Sequence, residues 1–260
     1  MMKKIIAIAV PKGGVGKTTT AVNLAASLAV AEKKTLLVDF DPSGSCTVYM
    51  GFTPDMIKGD IFKVFSYAKS IVQVIHNTEL PNLDFIPSNV TTTEVEERLE
   101  RLTRNTYLFN NILSMEELSS YEYIIIDCPH YLKGLTTIAL AAANSIVIPV
   151  KAGKFALSAL KRMINHIELL KKTVNTKLKV EGILLTMYEA NTKAQIMTNE
   201  EIYKNFDEHM FKTVIPKNIA ITESEFFGKP SILFNAKAKG SLAYLNLAQE
   251  IIENSSKAGL

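Results

Sequence analysis

The stretch Pro11-Lys12-Gly13-Gly14-Val15-Gly16-Lys17-Thr18 gathers the residue types that bind phosphate. Glycines at 13, 14 and 16 let successive backbone N–H groups turn inward around anionic oxygens, a concavity that side chains would obstruct. Lys17 has the reach for the β- and γ-phosphates of a nucleoside triphosphate, and the Thr18 hydroxyl is a magnesium ligand in such a loop. Two features depart from the usual phosphate loop. Pro11 stands where its leading glycine belongs, and a second lysine, Lys12, sits at the front edge. Three carboxylates extend the constellation: Asp39 and Asp41 close the run LLVDFD, and Asp127 closes YIIID. In an open α/β sheet ligands collect outside the carboxyl ends of the strands. Three acids there, beside a triphosphate, call for a cation to offset their repulsion, and Mg²⁺ is the natural one. Asp41, followed by Pro42, also suits a cap on the next element.

Positioning these groups needs a strand, a tight loop and a helix in that order, and residues 5–32 read that way. Continuous apolar runs, the mark of strands covered on both faces, occur at 5–10, 35–39, 83–87, 123–127, 145–150, 182–186 and 211–216. Helical patterns lie between them at 17–32, 92–118, 134–143, 155–173, 194–206 and 239–254. Alternation of this kind predicts an α/β fold: a doubly wound, mostly parallel sheet flanked by helices, with right-handed crossovers. No linker rich in Pro, Gly or Ser interrupts it, so residues 1–260 are expected to form one domain.

Composition narrows the class. Twenty-nine basic against 26 acidic side chains leave a formal charge of +3, too little to mark the whole chain as a nucleic-acid binder. Any basic surface must come from local clustering. Cys46 and Cys128, the only cysteines, match no zinc or iron–sulfur spacing and read as reduced small hydrophobes. The opening apolar run stops at Pro11-Lys12, short of a secretory core, and no run reaches the roughly 18 residues of a membrane helix. A cytosolic protein is expected.

Lys12-Gly-Gly-Val-Gly-Lys-Thr-Thr is the deviant Walker A motif, and the chain resembles the ParA/Soj partition ATPases, relatives of MinD. DFDPSGS (39–45), IIIDCP (124–129), SIVIPVKAGKFAL (145–157), EGILLTMY (181–188), KTVIPKN (212–218) and GKPSILFNAKAKGSLAYLNLAQEI (228–251) carry the resemblance along almost the whole length. It implies a P-loop NTPase fold and ATP with Mg²⁺ as the bound species. Nucleotide contacts would come from Lys12, Gly13, Gly14, Val15, Gly16, Lys17, Thr18 and Thr19. Lys12 would reach across a homodimer interface to the partner's ATP, which accounts for the second lysine. Asp39 would belong to the Mg²⁺ shell with Thr18, Asp41 would orient the attacking water, and Asp127 would be the Walker B carboxylate. Lys12, Lys17 and Asp41 are thus the expected catalytic set, with Pro216 and Asn218 on the adenine side. The implied activity is slow ATP hydrolysis, stimulated by a ParB-like partner, in a dimer that binds DNA non-specifically and sits on the nucleoid while ATP-bound.

The chain departs from that pattern at Ser43, His130, Lys151 and Lys154, none of which removes a phosphate or Mg²⁺ contact. On the DNA side, relatives often carry arginines where this chain has Asn191, Lys193, Lys217 and Ala220. Lysine neutralises phosphate as a point charge but lacks the bidentate fork. Between 151 and 180 eight basic residues face one acid, Glu168. Lys154, Lys161 and Lys172 fall within about 20° of one another on a helix over 155–173. That ridge is either a sequence-independent DNA contact or an ordinary solvated face. The alternative functions are a MinD-like membrane cycle, an iron–sulfur ATPase, or a ParA-type chassis that positions a protein cargo. The tail NLAQEIIENSSKAGL, with two glutamates and one lysine, argues against the membrane cycle. Cys46 and Cys128 lack the placement for a cluster. The start of the chain close to the first strand leads us to expect no helix-turn-helix extension.

Overall fold

The computed structural model describes residues 3–90 and 92–257, so the last three residues of the tail lie outside it. Seven strands form one sheet: β1 (Lys4–Ile8), β2 (Thr35–Asp39), β3 (His76–Asn77), β4 (Leu83–Ile86), β5 (Tyr123–Asp127), β6 (Ser145–Lys151) and β7 (Lys179–Thr186). Their order is β3-β4-β2-β5-β1-β6-β7, parallel throughout except for the antiparallel pair β3–β4. Every residue of β1, β2, β4 and β5 is buried. Both faces are therefore covered, which is why those strands read as unbroken apolar runs.

The helices are α1 (Lys17–Val30), α2 (Ser45–Tyr49), α3 (Ile61–Phe65), α4 (Thr93–Leu102), α5 (Leu108–Leu113), α6 (Leu135–Ala142), α7 (Ala156–Thr173), α8 (Lys193–Phe206), α9 (Ile219–Phe226), α10 (Ser231–Phe234) and α11 (Lys239–Lys257). One core joins Ala7, Val38, Ile124 and Ile146 of the sheet to α3, α5, α6 and α7. The other joins Ile6, Ile8, Leu37 and Val147 to α1, α2 and α11. Alternate residues of a strand, such as Ile6 and Ala7, thus point into opposite cores, as the pleat requires. No helix among the described residues is long and apolar enough to cross a membrane.

Three expectations need correction. Residues 211–216 form no strand but meet β7 and its continuation at scattered points: Phe211 N–H donates to Ile183 O, Ile215 N–H donates to Leu185 O, and Tyr188 bridges Pro216. The N–H groups of Lys212 and Thr213 donate instead to the Glu250 carboxylate at 2.8 and 3.0 Å, and Pro216 has no N–H to give a ladder. The helix over 92–118 is two helices, since Thr103 to Thr106 interrupt it and Asn105 Oδ1 accepts the Tyr107 N–H at 3.2 Å to start a new turn. Lys154 precedes α7, in a turn where Gly153 adopts φ 147°, so helical spacing does not carry from it to Lys161.

Candidate nucleotide site and its carboxylates

The loop 11–16 leaves the carboxyl end of β1, the strand flanked by β5 and β6. Gly14 and Gly16 adopt φ 66° and 83°, the left-handed region that glycine enters without strain. Around Gly13 and Gly14 nothing lies within 4 Å of where a Cβ would stand, so the loop is an open cradle. α1 begins with no side-chain cap and no acid in its first turn. Its leading N–H groups and its positive end therefore face the cradle, an arrangement suited to an anion. From β7, the buried Thr186 hydroxyl donates to Val15 O at 2.8 Å and fixes the loop from the side. Lys17 is 8% exposed; burial lowers its pKa, and its Nζ donates to Lys12 O at 3.0 Å. Lys12 is half-buried, and among the described residues no hydrogen bond or ion pair engages its ammonium.

Asp39 and Asp127 are register partners on β2 and β5, and both are fully buried. Asp127 Oδ2 accepts from the Thr18 hydroxyl at 2.8 Å, while Oδ1 has no hydrogen-bond partner. A buried, unpaired carboxylate oxygen costs free energy unless a ligand completes it. Asp39 is differently engaged. Its Oδ2 accepts from the Thr47 N–H (2.8 Å) and hydroxyl (2.7 Å), and its Oδ1 accepts from the Asp41 N–H at 3.1 Å. Asp39 is thus a strut between β2, α2 and the loop that carries Asp41. Asp41 is half-buried; its Oδ1 accepts the Ser43 N–H at 3.0 Å, and its carbonyl accepts the Gly44 N–H at 3.0 Å. Burial pushes the Asp39 carboxyl up to about 7, and burial followed by the neighbouring Asp39 pushes Asp127 well above the usual carboxylate range. Among the described residues no set of three or more His, Cys, Asp or Glu side chains could hold a metal unaided. Mg²⁺ suits such a site because it takes one or two protein ligands and draws the rest from substrate phosphates and water.

A cavity of about 260 Å³ opens beside the loop, lined by Gly16, Thr19, Met187, Pro216, Asn218 and Ile221 among others. Pro216 and Asn218, expected on the base side, are therefore brought to the phosphate loop. Asn218 Oδ1 is buried without a partner, an acceptor available to an exocyclic amine. Lys217 lines the same cavity and pairs with Glu189 at 3.3 Å. Lys151 lines it as well. Lys154, Lys161, Lys172 and Lys193 are not among its lining: Lys161 and Lys172 are exposed on α7, Lys154 is exposed in the turn before it, and Lys193 is exposed at the start of α8. His130 is exposed beside Tyr131. Cys46 and Cys128 are buried, with thiols pushed up by burial, an environment that keeps them unreactive.

Sequence reasoning missed Thr47 and Thr186. A buried hydroxyl that serves a partner many residues away leaves no periodic signal; Thr186 and Val15 are 171 positions apart. For Thr47, the run of small polar residues directly after Asp39-Phe-Asp41 was the available hint.

With this geometry in place, the relatives are informative. The family described as "AAA domain" matches residues 3–180. The sporulation initiation inhibitor protein Soj of Bacillus subtilis is 40% identical over 254 residues, covering 97% of this chain and 100% of that protein. The chromosome partitioning protein ParA of Myxococcus xanthus is 40% identical over 250 residues, covering 96% and 88% respectively. Among solved structures, cobyrinic acid a,c-diamide synthase of Mycobacterium smegmatis, with a bound ATP analogue and magnesium, superimposes with a TM-score of 0.84. It covers 99% of this chain and 97% of that one at 23% identity, a likeness of fold. The chain belongs to the Soj/ParA family of chromosome-partitioning ATPases.

Proposed function

We propose that this chain is an ATP-gated dimeric switch that binds DNA without sequence preference and is released by hydrolysis when a ParB-like partner engages it. The observation that carries the reading is the division of labour in the loop. Lys17 is folded inward onto its own loop, whereas among the described residues nothing engages the Lys12 ammonium. Lys17 and the N–H groups of residues 13–19 would hold the triphosphate in its own subunit, with Val15 fixed by Thr186. Lys12 would meet the γ-phosphate of the nucleotide in a second copy. The Asn218 acceptor and the Pro216 edge would seat adenine. Thr18 and Asp127 would hold magnesium, and the Asp39 carboxylate, already saturated by Thr47 and Asp41, would reach it through water. The ion supplies charge neutralisation and alignment of the phosphates. Asp41, held in place through Asp39, would orient the water that attacks the γ-phosphorus. Positioning and charge stabilisation account for most of the rate in such transfers.

The buried carboxylates give a pH signature. Their pKa values are raised in the folded chain, so between about pH 4 and 7 the folded state holds more protons than the unfolded state. Without a cation, stability therefore falls as pH rises through that window. Magnesium competes with those protons. Its addition to the ADP-bound chain is expected to raise the Tm more at pH 7.5 than at pH 5.5, measured against ADP with EDTA. Equal increments at the two pH values would contradict the placement of magnesium here.

DNA contact is assigned to the exposed lysines of α7 with Lys154 and Lys193; Lys217, paired with Glu189, contributes less. The nucleoid-bound state in the cytoplasm would then be the ATP state. Retardation of duplex DNA by the chain with ATP, with ADP and without nucleotide, across a salt series, tests this reading. Retardation is expected with ATP alone. The double reversal Lys161→Glu with Lys172→Glu is expected to weaken it about tenfold or more at low salt and to flatten the salt slope, leaving ATP affinity unchanged. DNA binding that ignores nucleotide and both lysines would overturn the assignment.

One observation favours a second reading, in which the same switch positions a protein cargo. Ile219 at the start of α9, and Phe226 and Phe227 at its end, are 76%, 86% and 66% exposed, apolar groups unlike a phosphate-binding surface. ATP-dependent dimerisation without DNA binding at any salt would select it.

A further inference from the structure

Helices distant in sequence are tied together at the site by a cluster of buried polar groups. The Tyr49 hydroxyl, at the end of α2, donates to Ser224 Oγ on α9 at 3.0 Å and accepts from Asn23 Nδ2 on α1 at 3.0 Å. The Ser224 hydroxyl donates to Ile221 O at 2.8 Å. Asn23 also donates to Thr19 O at 2.8 Å, and its Oδ1 accepts the Ser231 N–H of α10 at 2.7 Å. Tyr49, Asn23, Ser224 and Ser231 are each no more than 1% exposed. Two residues beyond Tyr49, the backbones of Gly51 and Gly228 touch. Both have positive φ, 76° and 63°, and a Cβ on Gly228 would stand 2.7 Å from Gly51 Cα.

These contacts join two parts of the site. α9 carries Ile221, Thr222 and Glu225 of the base-side cavity wall. α2 carries Thr47, which grips Asp39, whose other oxygen holds the Asp41 N–H. Hydrogen bonds therefore lead from the wall that a base would press through Ser224 to Tyr49, the short helix α2 joins Tyr49 to Thr47, and hydrogen bonds lead on through Asp39 to the residue assigned to the water.

We propose that Tyr49 is a positioning residue that makes placement of Asp41 depend on an occupied base pocket, so that the chain discriminates nucleotides in kcat rather than in affinity. The inference rests on the base-side and Asp41 assignments proposed above. A base seated against α9 holds Ser224 and Gly228 still, which holds α2 and, through Thr47, the loop of Asp41. A triphosphate without a base fills the cradle but leaves α9 unrestrained. Binding energy from a non-reacting part of the substrate is then used at the reacting centre, and its removal lowers kcat.

The test compares ATP with inorganic tripolyphosphate, both with Mg²⁺, in the full chain and in Tyr49→Phe, which keeps the ring and removes only the hydroxyl. The ratio of kcat with ATP to kcat with tripolyphosphate is expected to fall about tenfold, the worth of one or two lost hydrogen bonds. KM for ATP should stay within about twofold. Ser224→Ala should give the same signature, and the double variant should be no worse than Tyr49→Phe alone, because the two residues are ends of one bond. A proportionate loss on both substrates, or a rise in KM for ATP with kcat unchanged, would overturn the relay and leave the site assignment standing. Full ATP turnover by Asp41→Ala would overturn that assignment and the relay with it.

Discussion

Asp41→Ala is expected to lose ATP turnover by about a hundredfold or more while binding ATP as tightly as the unmodified chain. The asymmetry follows from where Asp41 sits. It is the half-buried member of the carboxylate group, and among the described residues its carboxylate accepts a hydrogen bond only from the Ser43 N–H of its own loop. Among the described residues, removing it breaks no hydrogen bond to the phosphate loop, to Thr18 or to the cavity wall and takes away only a nearby charge from Lys17, so ground-state binding is expected to be kept. What would disappear is the proposed acceptor for the attacking water, an interaction that would be made fully only in the transition state. Steady-state turnover with a fluorescent-nucleotide titration separates the two quantities. A parallel loss of affinity and rate would mean that Asp41 holds the nucleotide. Asp39→Ala should behave differently: it leaves the Thr47 hydroxyl and two N–H groups without their acceptor at a fully buried position, so it should lower stability as well as rate.

Lys12→Ala is expected to weaken the proposed ATP-dependent dimer by about a hundredfold or more, because one charge-assisted contact to a phosphate would be lost from each side of a symmetric interface. Nucleotide affinity of the single chain should change little. The backbone of Lys12 serves its own loop, through Lys12 O to Lys17 and the Lys12 N–H to Val10 O at 2.8 Å, and alanine keeps both groups. Lys17→Ala is the counter-case, since its side chain is buried within the cradle and its removal should abolish binding in either state. Sedimentation velocity with ATP reads the dimer, and a fluorescent analogue reads the monomer. Normal dimerisation of Lys12→Ala, or loss of nucleotide binding by it, would remove the trans role.

These predictions rest on residues that the sequence made legible. Gly13, Gly14 and Gly16 shape an open loop and Lys17 and Thr18 start the helix that follows it, so their spacing is legible as a local pattern. Asp39 and Asp127 were found because strand ends announce themselves where an apolar run stops. Six of seven apolar runs are strands for the same reason: burial on both faces leaves an unbroken pattern. Residues 211–216 failed the rule because Glu250 takes the N–H groups of Lys212 and Thr213, 38 and 37 positions away, and interrupts the pairing. The two-residue β3 is too short to carry any period, and the break between α4 and α5 depends on one asparagine side chain. What the sequence hid altogether were contacts closed over long separations, such as Tyr49 with Ser224 at 175 positions. Only the folded topology brings those hydroxyls together.

The most direct test of the account is the light-scattering mass of Asp41→Ala with ATP, with ADP and without nucleotide, at low micromolar protein. The variant should hold ATP long enough to be weighed. Twice the chain mass with ATP, and the single-chain mass in the other two samples, is the expected result. One mass in all three samples, whether monomer or dimer, would contradict an ATP-gated switch.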